Sequence, residues 1–264
     1  MSMTMEEAAS RIIVALDFQT LDEAQRVVNM YKGLVGGFKA AQTLLTAEGA
    51  PRVAEALAGT ADIIFGDFKY HDIPFQVEGS VKAATKLGFN MINVHAAGGS
   101  KMMLAAMRGA YNGAEEVGIK VPTIIAVTAL TSLNFDDLVE AGELEALPSI
   151  ADPVEREELQ KRAIERLVRN RALLAQDCNL DGVVASPLEL LDLRQNIQPE
   201  SKIITPGIRL PGSSVDDQSR LSTPEFAIAN GSNYLVVGRD FTGAEDPPSK
   251  LTEYCKRIIG AISN

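Results

Sequence analysis

A (β/α)8 barrel, one domain over residues 1–264, is the fold this sequence predicts. Two observations predict it. Eight short runs rich in Val and Ile are apolar at consecutive positions, as strands buried on both faces are, and amphipathic segments stand between them. The chain has 264 residues, about the length of eight strand–helix units. A doubly wound open sheet is the alternative. Its first turn carries a Gly-rich fingerprint, and "ALDFQT" has none.

The elements follow in order. "RIIVALD" (11–17) leads into "LDEAQRVVNMYKG", where Thr20 is the expected N-cap and Glu23, three residues on, completes a capping box. "GGFKA" (36–40) and "ADIIFGDFK" (61–69) are the next two runs. The helical pattern "PFQVEGSVKAATKLG" ends on Gly88, an expected C′ glycine. "MINVHA" (91–96) precedes "KMMLAAM", which reads as a helix face packed on the barrel. "TIIAVTA" (123–129) is followed by an elaborated connection over 132–160, too short for a domain. The longest helical pattern, "VEREELQKRAIERLVRNRALLAQ", comes next. "DGVVAS" (181–186) pairs with "SPLELLDLRQN", and "SKIITPG" (201–207) with "TPEFAIANG". Between these last two lies "RLPGSSVDDQS" (209–219). It is polar and rich in Gly, Ser and Asp, and reads as a mobile loop suited to an active-site lid. "NYLVVGR" (233–239) and "DPPSKLTEYCKRIIGAI" close the series.

Composition narrows the function classes. Apolar residues are 46% and charged residues 23% of the chain, ordinary for a globular protein in water. The net charge of -10 repels a phosphate backbone, which argues against a nucleic-acid binder; an anionic ligand would need a local basic pocket. Cys178 and Cys255 lie far apart and read as reduced thiols of a cytosolic protein. "MSMTMEEAASR" lacks the apolar core of a signal peptide, and no apolar run approaches the roughly 20 residues that span a bilayer. The expected location is the cytoplasm, with no membrane partner. With only His71 and His95 present, a zinc site is not expected.

Charges gather where the strands end. In a barrel, side chains at the C-terminal strand ends line the active site. The first run ends in Asp17, the second carries Lys39, and the third ends with Asp67 and Lys69. Strand period is two, so Asp67 and Lys69 point the same way, with Asp72 just beyond. One Asp–Lys pair alone reads as a solvated face or an edge guard. Here the flanks "ADIIF" and "IPF" are apolar, and the fold brings the charged ends together, which favours a site. The loops after strands 7 and 8 often bind phosphate in barrels. "TPGIRLPG", with Arg209, and "VGRDFTG", with Gly238 and Arg239, follow those strands and supply substrate-binding candidates: glycines let backbone N–H groups approach an anion, and Arg239 can fork onto phosphate oxygens.

These residues carry a resemblance. "DFKYHDIP" is similar to the DxKxxDIP signature of the orotidine 5′-monophosphate decarboxylase family. "ALDF", "NVHAAGGSKMM", "AVTALTS", "DGVVAS", "TPGIR", "DDQSR" and "YLVVGR" resemble further blocks of that family in the same order, from Arg11 to about Pro247. The resemblance implies a homodimeric barrel that converts orotidine 5′-monophosphate to uridine 5′-monophosphate without cofactor or metal. It implies Lys39, Asp67 and Lys69 as a charged catalytic network, completed by Asp72 from the other subunit. Asp17 and Lys39 would hold ribose hydroxyls, and Thr131 in "ALTS" would meet the pyrimidine. Pro206 and Ile208 would line the pocket, and Arg239 would bind the phosphate. Lys69 would deliver a proton to C6.

Two positions depart from the family pattern. Gln76 stands where Thr is common, and Pro211 where the lid often carries Gln, so Ser213 or Ser214 would have to replace that contact. Weaker substrate binding with intact chemistry is the expectation. Gln76→Thr with Pro211→Gln should lower KM in steady-state assays, and an unchanged or higher KM would count against it. Two rival readings remain. One is a Mg2+-dependent sugar-phosphate lyase of the same superfamily, which places a Glu near the first strand end; Lys39 and the Asp of "ALDF" disfavour it. The other is a non-catalytic nucleotide-binding homologue, which the intact Asp67, Lys69 and Asp72 set disfavours. His71 and His95 read as packed or hydrogen-bonded structural rings.

Overall fold

In a computed structural model of the chain, eight parallel strands pair in sequence order and close on themselves: β1 (Ile12–Leu16), β2 (Gly37–Ala41), β3 (Ile63–Tyr70), β4 (Met91–His95), β5 (Thr123–Val127), β6 (Gly182–Val184), β7 (Lys202–Thr205) and β8 (Tyr234–Val237). The structure describes residues 3–211 and 222–262. Each strand coincides with a run that the sequence predicts, β2 and β3 extending one residue past theirs to Ala41 and Tyr70, because a barrel strand is covered on both faces and must be apolar on both. Ile12, Val14 and Leu16 face outward into one large core shared with helical residues such as Val27, Val28 and Tyr31. Ile13 and Ala15 face inward and pack with Phe65, Met91, Ile125, Ile204 and Val236 to fill the barrel.

The helices form the outer layer. Leu21–Tyr31 starts at Thr20, whose hydroxyl accepts the Glu23 N–H. The expected capping box is only half made: the Glu23 carboxylate accepts the Thr20 hydroxyl instead of reaching the backbone. Pro74–Lys86 begins with Pro at its first position and ends before Gly88, which takes φ of +96°. Met102, Met103 and Met107 of Gly99–Val117 are buried against the barrel, as the methionine-rich pattern predicts. The connection after β5 holds a short helix, Phe135–Glu140, with a capping box between Asn134 and Asp137, before Pro153–Asp177 begins. Helices Met5–Ala9, Gln42–Glu48 and Ala50–Leu57 were not expected from the sequence pattern. Both cysteines are buried, and burial pushes their thiols up, Cys255 to about 11. Among the described residues, no helix is long and apolar enough to cross a membrane.

One irregularity matters for the site. Gly66 pairs with Ile92 and Tyr70 with Val94, so β3 takes four steps against two on β4. Lys69 sits in this bulge with φ of +51°, a left-handed conformation that a side chain adopts only at a cost. Outside the barrel, Phe68 stacks on Tyr70 with centroids 4.8 Å apart and meets Phe89 edge-on at 5.1 Å. Gly66 makes room for this: a Cβ there would lie 2.3 Å from the Phe68 ring. The aromatic cluster thus clamps the bulge from behind while Asp67 and Lys69 point inward.

Candidate active site

A cavity of about 350 Å3 opens at the C-terminal ends of the strands. Its floor is apolar, built by inward residues including Phe65, Val127, Ile204 and Val236. Asp17, Lys39, Asp67, Lys69, Thr131, Pro206, Ile208, Arg209, Gly238 and Arg239 all line it. These are the sequence candidates except Asp72.

Four charges alternate in sign along one wall. Lys39 Nζ lies 3.2 Å from Asp17 Oδ1 and 2.9 Å from Asp67 Oδ2. Lys69 Nζ lies 2.7 Å from Asp67 Oδ1. Strand register produces this geometry. Lys39 stands beside Ala15 on β1 and Phe65 on β3, with Ala41 beside Asp67, so the ionic layer sits just above the apolar floor. Exposure is graded: the side chains of Lys39 and Asp67 are 10% and 9% exposed, Lys69 30% and Asp17 60%. Burial pushes the Lys39 ammonium down, but Asp67 and Asp17 outweigh it, and the net shift is upward. Burial pushes the Asp67 carboxyl up, but Lys39 and Lys69 reverse this and hold it far below the usual carboxylate range.

Asn93 on β4 completes the array, and the sequence reading missed it. Its amide nitrogen donates to Asp67 Oδ1 at 2.6 Å, and its carbonyl oxygen accepts the Lys69 backbone N–H at 2.7 Å. One buried amide therefore supports both the carboxylate and the bulge that aims Lys69. An Asn in the middle of the run "MINVHA" was the available signal, since a buried polar side chain needs partners. Arg171 was missed as well. It donates to the Thr128 carbonyl at 2.8 Å and pairs with Glu143 at 2.9 Å, tying the end of β5 to the connection that carries Thr131.

The opposite side of the cavity is built by the turns after β7 and β8. Gly207 takes φ of +77°, which turns the chain so that Pro206, Ile208 and Arg209 face the cavity. The Arg209 N–H donates to Ser222 O and the Ser222 N–H to Gly207 O, closing the base of the loop that begins there. Most of the polar segment 209–219 read as a lid, with Ser213, Ser214 and "DDQSR", lies outside the described residues. Pro211 is exposed at its near edge.

Asp72 is not brought to the cavity of its own chain. It is exposed, and its carboxylate accepts the N–H of Ile73 at 2.6 Å. Ile73 and Phe75 beside it are 62% and 80% exposed, and Gln76 is exposed too. His71 and His95 stack with ring centroids 5.3 Å apart. Burial, with the charges of His71, Lys69 and Arg171, pushes His95 down to about 4, so its ring is neutral at neutral pH.

The sequence model described as the Orotidine 5'-phosphate decarboxylase / HUMPS family matches residues 10–254. The orotidine 5'-phosphate decarboxylase of Nitrosomonas eutropha is 42% identical over 253 residues, covering 96% of this chain and 99% of that one. Its counterpart from Moorella thermoacetica is 40% identical over 246 residues, covering 93% and 90%. The crystal structure of orotidine 5'-phosphate decarboxylase from Lactobacillus acidophilus matches with a TM-score of 0.76 at 32% identity, over 94% of this chain and 98% of that one. A family match over nearly the whole barrel, in a chain whose motif residues converge on one cavity, shows that this protein belongs to the Orotidine 5'-phosphate decarboxylase / HUMPS family.

Proposed function

We propose that the chain decarboxylates orotidine 5′-monophosphate to uridine 5′-monophosphate, a step of pyrimidine biosynthesis, without metal or organic cofactor. The observation that carries this reading is the alternating array Asp17–Lys39–Asp67–Lys69 at the mouth of an apolar-floored cavity. Breaking the bond between C6 and its carboxylate leaves the electron pair on C6, where the ring stabilises it poorly. A fixed ammonium beside C6 stabilises that charge, and its position is set before substrate arrives. Lys69 is the more exposed of the two lysines and the one at the rim, which suits it to face the ring. It then gives its proton to C6, carbon dioxide departs, and solvent reprotonates the amine. Asp67 keeps Lys69 charged and aimed.

The remaining roles are those the family resemblance implies, and, Asp72 apart, the residues' shared place in the cavity lining supports them. Asp17 and Lys39 hold the ribose hydroxyls, and Thr131 meets the pyrimidine. Pro206, Ile208 and Arg209 close over one side, and Gly238 and Arg239 take the phosphate. Binding of that remote dianion helps to organise the reacting end. Asp72 serves the cavity of a second copy in a homodimer. Its absence from its own cavity and the exposed Ile73 and Phe75 around it support this role.

A metal-assisted alternative suits the donor set poorly. A divalent ion needs free carboxylate oxygens, yet both Asp67 oxygens are taken by ammonium groups and Asp17 shares Lys39. Incubation with orotidine 5′-monophosphate in excess EDTA tests the proposal. Loss of orotate absorbance with stoichiometric uridine 5′-monophosphate is the expected result. No conversion, or conversion that requires added Mg2+, rejects it.

A further inference from the structure

A carboxylate next to a phosphate-binding arginine is electrostatically unwelcome, because it repels the ligand that the arginine attracts. Asp240 is such a group: it follows Arg239 directly, in the short helix Arg239–Thr242 after β8. Its Oδ2 accepts two hydrogen bonds, from the Leu210 backbone N–H at 2.8 Å and from the Tyr254 hydroxyl at 2.8 Å. Leu210 belongs to the turn after β7. Tyr254 belongs to the C-terminal helix Pro247–Ile262, and its hydroxyl also lies 3.5 Å from the Ile208 carbonyl. One carboxylate oxygen therefore joins the turns after β7 and β8, and a phenol from a third element holds it there.

The surroundings make this junction rigid. Tyr254 and Phe241 are fully buried, with rings edge-on at 4.9 Å. Phe241 also packs on Tyr31 at 4.9 Å, and the Tyr31 hydroxyl donates to the Phe241 carbonyl at 3.0 Å. Burial, then the charge of Asp240, pushes the Tyr254 phenol far up, so it stays a hydrogen-bond donor. The helix bearing Arg239 and Asp240 is thus pinned between two tyrosines, and the Asp240 side chain reaches from it to the other turn.

We infer that Asp240, held by Tyr254, is a positioning residue that sets the spacing of the two turns around the substrate's phosphate. This rests on the proposed function, in which those turns hold a phosphate. Asp240 does not itself touch the anion. Its service is to preorganise Ile208–Leu210 against Gly238–Arg239, so that binding the dianion need not order them.

Calorimetric titration with uridine 5′-monophosphate and with uridine tests this on the wild-type chain, Asp240→Ala, Asp240→Asn and Tyr254→Phe. Wild type should bind the nucleotide much more tightly than the nucleoside. Asp240→Ala should lose about 10- to 100-fold in nucleotide affinity, the scale of hydrogen bonds to a charged group, while uridine affinity changes about twofold or less. Asp240→Asn retains an acceptor oxygen and should recover most of the loss. Tyr254→Phe keeps the ring packing, so it folds even if Asp240→Ala does not, and should lose in the same direction by a smaller factor. Equal losses for nucleotide and nucleoside, or no loss in Tyr254→Phe and Asp240→Ala, overturn the inference. A wild type that does not distinguish nucleotide from nucleoside instead overturns the phosphate reading beneath it.

Discussion

Lys69→Ala is expected to lower kcat for orotidine 5′-monophosphate by about 10^4-fold or more. The estimate combines about 10^2–10^4 for a lost general acid with about 10^2–10^3 for a lost electrostatic stabiliser. The proposed mechanism gives both roles to one ammonium, so a single truncation removes both. The bulge places this group, and Asp67 and Asn93 hold its root, so no neighbour can substitute: Lys39 is committed to Asp17 and Asp67. Stability should change little, because Lys69 is the partly exposed end of the array. Absorbance traces of orotidine 5′-monophosphate and a thermal melt check both halves. A variant within about tenfold of wild-type kcat would remove Lys69 from the chemistry.

Asp67→Ala should damage stability as well as rate. Asp67 is the hub: Oδ1 accepts from Lys69 and Asn93, and Oδ2 from Lys39. Removing it leaves Lys39 buried with one exposed partner, Asp17, and brings two ammonium groups together without the anion between them. Breaking a buried pair this way costs about 3–5 kcal/mol. Urea unfolding at neutral pH should show that loss. The pH dependence has a definite sign. The native carboxyl of Asp67 lies below its unfolded value, so its contribution is complete above the ordinary carboxylate range. It is lost as pH falls through the native value. The gap between wild type and Asp67→Ala should therefore narrow in acid. A gap that widens on acidification, or no stability loss at neutral pH, would contradict the hub role.

The sequence made the barrel legible because burial on both strand faces writes itself as consecutive Val and Ile, a pattern that survives without knowledge of partners. Short helices such as Gln42–Glu48 and Ala50–Leu57 escaped because they carry little periodic signal in so few residues. Asp17, Lys39, Asp67 and Lys69 were legible as a group because barrel closure collects strand ends. Their supports were not. Asn93 acts through register between β3 and β4, and the bulge at Lys69 depends on an aromatic cluster on the far side of the strand. Asp240 meets Leu210 only because β7 and β8 are neighbours. Local sequence encodes which residues a strand presents; it does not encode which side chains from other strands hold them in place.

The central claim is that the cationic end of the array is complementary to negative charge at C6. Affinity for a uridine 5′-monophosphate analogue bearing an anionic oxygen at C6 measures this complementarity most directly. The wild-type chain should bind the analogue at least ~10^3-fold more tightly than uridine 5′-monophosphate, as expected of a mimic of the charge developed in the reaction. Lys69→Ala should lose most of that preference while holding uridine 5′-monophosphate nearly as before. Equal affinity for the two ligands, or a preference that survives the loss of Lys69, would contradict the account.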